Sequence, residues 1–570
     1  MRPATVSRLT LAVAALVCAL LALHPTAAQA ATYTKISGAG STWSSNALDQ
    51  WRRNVSANSG MTVNYAAVGS SVGREQFKNG TADFAVSEIP YGLTEAGMRD
   101  APPKRGYAYM PIVAGGTAFM YNLKIGGKKV TNLRLSGEVI TKIFTGTLTM
   151  WNAPEIRADN PGLTLPARRI IPVVRSDGSG TTAQLTTWLA KEHTGLWDAY
   201  CKRAGRSVPC GMTSYYPVVP GSSTIAKSGS LGVSGYTKQG HAEGAITYVE
   251  YSYAIKTGFP VAKMLNSSGY YVEPTASSVA VALMKARINE DRNSDNYLTQ
   301  ILDGVYRSAD RRTYPLSSYS YMIVPTEAES PFTTAKGKTL GTFANYFLCE
   351  GQQQAEELGY SPLPKNLVQA GFSQVRRIPG APASSVDITK CRNPTFSSDG
   401  SNTLAKNAPY PQACDKRGAT QCADGTAGAK QQTRVNSGAN GGASGGGSTG
   451  GGSSGGGSTG GGSGGGTGGS AAGGAAGGSA APDAAAASGG AAGGSAGGAV
   501  DPDTGEVIGT DETGDASVVG NPLTLASDDS PGLRGALMAL SAVLLLGVVV
   551  GPPLAARALS ARNRRKEGLR

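Results

Sequence analysis

Histidine is almost absent: the 570-residue chain holds three, and His24 falls in an apolar N-terminal run that is removed on export. The two that remain, His193 and His241, sit beside no serine motif, which argues against a hydrolytic triad. No C-x-x-C pair occurs among the seven cysteines, so a structural zinc centre is not indicated and no metal or cofactor is implied. Charged residues make up only 16% of the chain, with no dense basic patch interleaved with aromatics, so nucleic acid is not an expected partner. No glycine-rich loop is followed by the Lys and Ser/Thr of a P-loop. The "GSG" at 178–180 lacks the spacing of a nucleophile elbow. These absences point away from an enzyme. The aromatics of "GYYVEP" and "YPLSSYSYMIV" read as sheet and core residues, with carbohydrate binding as the lesser alternative.

What is present begins with two apolar ends. Arg2 and Arg8 precede "LTLAVAALVCALLALH", and Ala28-Gln29-Ala30 follows as a small-residue cleavage pattern, the layout of a signal peptide over 1–30. Cys18 follows Val17, a poor residue for lipoprotein processing. At the other end, 535–556 carries no charge and has the ~20-residue length of a membrane-spanning helix. Six basic residues against Glu567 follow in 557–570, which places that tail in the cytoplasm and everything between the two ends outside. The chain is therefore expected to be a single-pass, cell-surface protein. Of the net charge of +13, the leader accounts for +2 and the tail for +5, so the exported part keeps only +6, a weak guide to its ligand.

From about 436 to 530 the chain is Gly/Ser/Ala-rich and cannot bury enough apolar surface to offset its chain entropy. A flexible coil of its roughly 95 residues has a root-mean-square span of about 50–60 Å and a contour several times longer. A Cys-containing extension occupies 401–435. Six cysteines lie outside the cell, an even number in an oxidising compartment. Sequence does not fix their connectivity; the local pairing is Cys201–Cys210, Cys349–Cys391 and Cys414–Cys422.

The remaining 31–400 alternates strand and helix patterns, as an α/β fold with largely parallel sheets does. "NALDQWRRNV" puts Ala47, Leu48, Trp51 and Val55 on one helical face. "MTVNYAAV", "DFAVS", "AYMPIV", "TAFMYNL", "RIIPVV" and "YSYMIV" read as strands. "SVGREQFKNG", "SGEVITKIF", "SSVAVALMKARI" and "TLGTFANYFLCEGQQQAEEL" read as helices.

Three junctions share one grammar of glycine and hydroxyl residues before a helix: "GAGSTWSSNAL", "VGSSVGREQF" and "VRSDGSGTTAQL". First-turn N–H groups lack intrahelical acceptors, and the helix dipole adds about half a positive charge there. Thr42, Ser70, Ser179 and Thr181 supply hydroxyls, and Arg175 offers a bidentate oxyanion contact that Asp177 is placed to steer. Each junction alone also fits an ordinary capped helix.

Taken in order, "GAGSTW", "VNYAAVGSS", "GTADFAVSEIP", "IFTGTLTMWNAPEI", "PVVRSDGSGTT", "GAITYVEYSYA" and "LGYSPLP" resemble the phosphate-binding protein of the phosphate ABC transporter, the PstS family, over about 32–375. The resemblance implies a two-lobed periplasmic binding protein-like (type II) fold. Lobe 1 takes about 31–115 and 250–380, lobe 2 about 116–249, and phosphate binds between them. It implies hinges near "VAGGTAF" and "AITYVEY" and inorganic phosphate held by Thr42, Trp43, Ser70, Glu88, Arg175, Ser179, Gly180 and Thr181, with Asp177 in support. ABC permease subunits are the implied partner. Glu88 stands where the family has aspartate, and Trp43 where it more often has phenylalanine. A carboxylate there accepts the proton that phosphate keeps and sulfate lacks; the added methylene bears on affinity and selectivity. Alternatives are a phosphate sensor or surface-display protein uncoupled from transport, and a scaffold that has lost the ligand.

Overall fold

The computed structural model describes residues 33–436 apart from 96–97, 295, 383–387, 398 and 430. The expected signal peptide, the linker beyond Asn436, the 535–556 span and the basic tail lie outside the described residues. Among the described residues no helix is long and apolar enough to cross a membrane.

Eight strands form the main sheet: β1 (Ile36–Gly40), β2 (Val63–Ala66), β3 (Phe84–Ser87), β4 (Tyr107–Tyr121), β5 (Ile171–Arg175), β6 (Ile225–Lys227), β7 (Ala245–Glu250) and β8 (Ser317–Pro325). Their spatial order is β6-β5-β7-β4-β8-β3-β1-β2. The sheet is mixed rather than largely parallel. β1 runs parallel to β2 and β3, and β5 parallel to β6 and β7. The central β4 and β8 are antiparallel to each other, β4 is antiparallel to β7, and β8 to β3.

"AYMPIV" and "TAFMYNL" are two ends of a single strand, β4, in which every residue after Tyr107 is buried. It stays extended through Gly115 and Gly116 because its backbone finds partners along its whole length. Residues 107–116 pair with β8, and Thr117–Tyr121 pair with β7. The change of partner at Gly116–Thr117 divides the sheet into two halves.

Helices cover both halves. The face carrying Ala47, Leu48, Trp51 and Val55 is the buried side of α1 (Ser45–Ser59), with Trp51 stacked on Phe347 at 5.0 Å. α2 (Ser70–Lys78) follows β2 and leads to β3. In the other half, α3 (Gly137–Phe144), α4 (Gly180–Glu192) and α5 (Gly229–Lys238) surround β5–β7. β7 ends at Glu250 and runs directly into α6 (Tyr251–Thr257). "SSVAVALMKARI" is helical only over α7 (Ala276–Leu283). The expected "TLGTFANYFLCEGQQQAEEL" helix starts earlier and stops at Leu348 as α8 (Thr334–Leu348). Tyr271, Tyr314, Tyr319 and Tyr321 are buried, as expected of sheet and core aromatics.

All three local cysteine pairs are bonded. The extension is folded onto the domain. The buried Arg134 donates to the carbonyls of Cys414 (2.8 Å) and Ala419 (2.7 Å), and the Ala427 amide donates to Glu273 Oε1 at 2.7 Å.

Candidate functional site

The three glycine–hydroxyl junctions meet. α2 begins at Ser70 after Gly69, whose φ of +94° suits glycine, and a Cβ there would lie 2.7 Å from Asp177 Oδ2. The Ser71 amide donates to the Gly178 carbonyl (3.1 Å), and the Gly180 amide to Ser70 Oγ (3.2 Å). Thr42 Oγ1 lies 2.8 Å from Ser230 Oγ, at the start of α5, toward which Arg175 Nη1 also points (3.4 Å). The Gln184 amide group crosses from α4 to the Glu88 carbonyl at 3.0 Å. The two halves of the sheet therefore touch over one buried polar cluster.

Arg175 ends β5 with its side chain almost wholly buried. Its Nε donates to Asp177 Oδ1 at 2.7 Å and its Nη2 to Asp177 Oδ2. Burial alone would raise the Asp177 carboxyl, but the Arg175 bonds and charge, with the Gly229 amide, hold it below the ordinary aspartate range. The paired carboxylate fixes the guanidinium in one orientation.

Glu88, just beyond β3, is 2% exposed. Ser41 Oγ donates to both its oxygens (2.7 and 2.8 Å), Ser70 Oγ to Oε2 (3.0 Å) and Ser320 Oγ to Oε1. Burial pushes its carboxyl up more than these hydroxyls and Arg175 pull it down. The start of α4 packs against it at Gly180.

The remaining expected residues divide by role. Ser179 Oγ accepts from the Thr182 amide (3.2 Å) and so caps α4, which leaves its O–H to donate elsewhere. Thr181 Oγ1 is buried and has no hydrogen-bond partner among the described residues. The Trp43 ring is wholly buried, edge-on to Tyr360, and its amide donates to Ser41 Oγ at 3.0 Å. No capping side-chain bond forms at the starts of α1 and α2, so simple capping does not account for their hydroxyls.

Sequence reasoning missed Ser41, Ser230 and Ser320. Ser41 was readable as a neighbour of Thr42; Ser230 and Ser320 carry no local signal and arrive only through the sheet order. It also missed Glu250, the last residue of β7, which is wholly buried beside the partner switch of β4. Burial raises the Glu250 carboxyl strongly, and the charge of Glu88 raises it further against a partial offset from the Ser252 amide. Neither carboxyl oxygen has a partner within hydrogen-bond geometry among the described residues.

A sequence profile described as the PBP superfamily domain matches residues 25–350. The chain is similar to the phosphate-binding protein PstS of Xylella fastidiosa, at 30% identity over 345 residues, covering 60% of this chain and 86% of that protein. It is also similar to phosphate-binding protein PstS3 of Mycobacterium bovis, at 31% identity over 332 residues, covering 58% of this chain and 82% of the relative. Among solved structures, one titled as the crystal structure of a DING protein aligns with a TM-score of 0.45 at 20% identity, covering 63% of this chain and 98% of that one.

Proposed function

The chain belongs to the PBP superfamily and, within it, to the family of PstS phosphate-binding proteins, and from that premise we propose that it captures inorganic phosphate between its two sheet halves and passes it to an ABC importer. The halves act as the closing lobes, and the β4 partner switch at Gly116–Thr117 and the β7–α6 junction at Glu250 act as the hinge. The protein works outside the cell, tethered by 535–556 through the glycine-rich linker.

One observation supports the reading: Arg175, the Gly180 amide, and the hydroxyls of Thr42 and Ser70 lie with Glu88 in one buried, hydrogen-bonded cluster. This is the donor set for a tetrahedral oxyanion. Arg175 supplies positive charge, the first turn of α4 supplies amides and dipole, and the unpartnered Thr181 hydroxyl supplies a further donor. Trp43 contributes its backbone, its ring being a core residue.

Glu88 supplies the discrimination. Phosphate at neutral pH keeps a proton and donates it to the carboxyl oxygen. Sulfate has none to give, and a buried charged acceptor left unpaired costs about 1–3 kcal/mol or more. The Glu88 carboxyl accepts from Ser41, Ser70 and Ser320, and bound phosphate would share the Ser70 donor.

Calorimetric titration with phosphate and with sulfate tests the reading. It predicts one phosphate per chain with little or no sulfate heat; the absence of heat with phosphate refutes it.

A further inference from the structure

Outside the anion cluster, the Glu95 carboxylate also bridges the two halves, more deeply than the surface pairs Lys191–Asp303 and Arg307–Glu192. Glu95 lies in a two-stranded hairpin, Thr94–Glu95 against Met98–Arg99, that leaves the half built on β1–β3. Its Oε1 accepts from the Ser214 amide at 2.6 Å and its Oε2 from Ser214 Oγ at 2.6 Å. Ser214 is wholly buried and belongs to the other half, where its carbonyl accepts from the Ser179 amide at 3.0 Å.

Both ends of this bridge are anchored in the anion-binding loops. The hairpin base is closed by the Gly92 amide on the Asp100 carbonyl (2.7 Å) and the Asp100 amide on the Leu93 carbonyl (2.8 Å). The Asp100 carboxylate accepts from Arg74 Nε (3.0 Å) and Nη2 (2.6 Å), and Arg74 is a buried residue of α2, the helix that starts at Ser70. A continuous chain of contacts thus runs from Ser70 through Arg74, Asp100, Glu95 and Ser214 to Ser179.

We propose that Glu95 is a positioning residue, a clasp whose paired bonds to Ser214 hold the lobes shut and set how long the cleft keeps its anion. The proposal rests on the phosphate-trap reading given above. Short bonds of this kind to an ionised carboxylate are stronger than neutral ones, and they exist only when the halves are together. Glu95 is already partly exposed where it stands, so an opened cleft would give it water in place of Ser214. The clasp touches no ligand, so it acts on the dissociation rate and leaves the choice of anion unchanged.

The test uses the full chain with Glu95→Ala and Glu95→Gln, inorganic phosphate as ligand, and stopped-flow dissociation as readout. Glu95→Ala is expected to speed phosphate release about tenfold, equivalent to about 1.4 kcal/mol, with the association rate and the phosphate-over-sulfate preference unchanged. Glu95→Gln, which keeps a neutral acceptor for the Ser214 amide, is expected to fall between. A second readout needs no ligand: spin labels on Ala57→Cys and Gly195→Cys, exposed positions in opposite halves, report the distance between them. Glu95→Ala is expected to move that distribution to longer distances. A folded Glu95→Ala protein with the parental release rate and the parental distances overturns the clasp. Should the unaltered chain bind no phosphate, the phosphate reading fails by itself and the distance measurement still decides the clasp.

Discussion

Gly180 faces Glu88 so closely that a Cβ built on it would lie 1.9 Å from Glu88 Oε2 and 2.7 Å from Ser70 Oγ. The first helical residue of α4 is glycine because a carboxyl from the opposite half rests on it. Gly180→Ala therefore drives Glu88 and Ser70 apart. It is expected to weaken phosphate binding by tenfold or more and to cost about 1–3 kcal/mol of stability as an overpacked site. Calorimetry and denaturant titration measure the two effects.

Arg175→Ala is expected to abolish measurable phosphate binding. Removing one partner of a buried, hydrogen-bonded charge pair costs about 2–5 kcal/mol, roughly 30-fold to several thousandfold in affinity, and here it also strands Asp177. Arg175→Lys keeps the charge and loses the two-pronged contact to Asp177, so it is expected to restore only part of the binding. Unchanged affinity in Arg175→Ala removes this residue from the site.

Glu88→Gln replaces an acceptor-only oxygen with an amide N–H. The phosphate proton loses its acceptor while sulfate gains a donor, so the phosphate-over-sulfate ratio is expected to fall at least tenfold. Competition of sulfate against bound phosphate measures it; an unaltered ratio shows that Glu88 does not discriminate.

The two carboxylates of the cluster titrate in opposite senses. Burial raises the Glu88 pKa in the folded state, so its contribution to stability is complete below the unfolded value of about 4.3 and is lost as pH rises through the raised value. Asp177 is held low despite its burial, so its contribution is complete above about 3.9 and is lost as pH falls through the lowered value. The stability of Glu88→Gln relative to the parent chain should therefore rise as pH climbs above about 4.3, and that of Asp177→Asn should fall as pH rises toward about 3.9. Denaturant titrations across these ranges check both slopes.

Much of this arrangement was legible in the chain. The α1 face of Ala47, Leu48, Trp51 and Val55, the Cys201–Cys210 and Cys414–Cys422 pairs and the Arg175–Asp177 contact are set by residues close in sequence, whereas Cys349–Cys391 spans 42 residues. Periodicity and spacing report such neighbours directly. What sequence hid depends on partners far along the chain. A run such as β4, apolar on both faces, looks alike whether its neighbours are parallel or antiparallel, so the mixed sheet was not readable. Ser230 and Ser320 reach Thr42 and Glu88 across separations of 188 and 232 residues. Glu250, inside an apolar strand, gave no sign that its carboxyl ends wholly buried.

The convergence of three loops on one anion is tested most directly by a crystal structure of the folded unit grown with phosphate. The account predicts a single phosphate within hydrogen-bond reach of Arg175, Ser70, Thr181 and the Gly180 amide, with Glu88 on its protonated oxygen. Phosphate bound elsewhere, with Ser70 still on Glu88 and Thr181 still unpartnered, would contradict it.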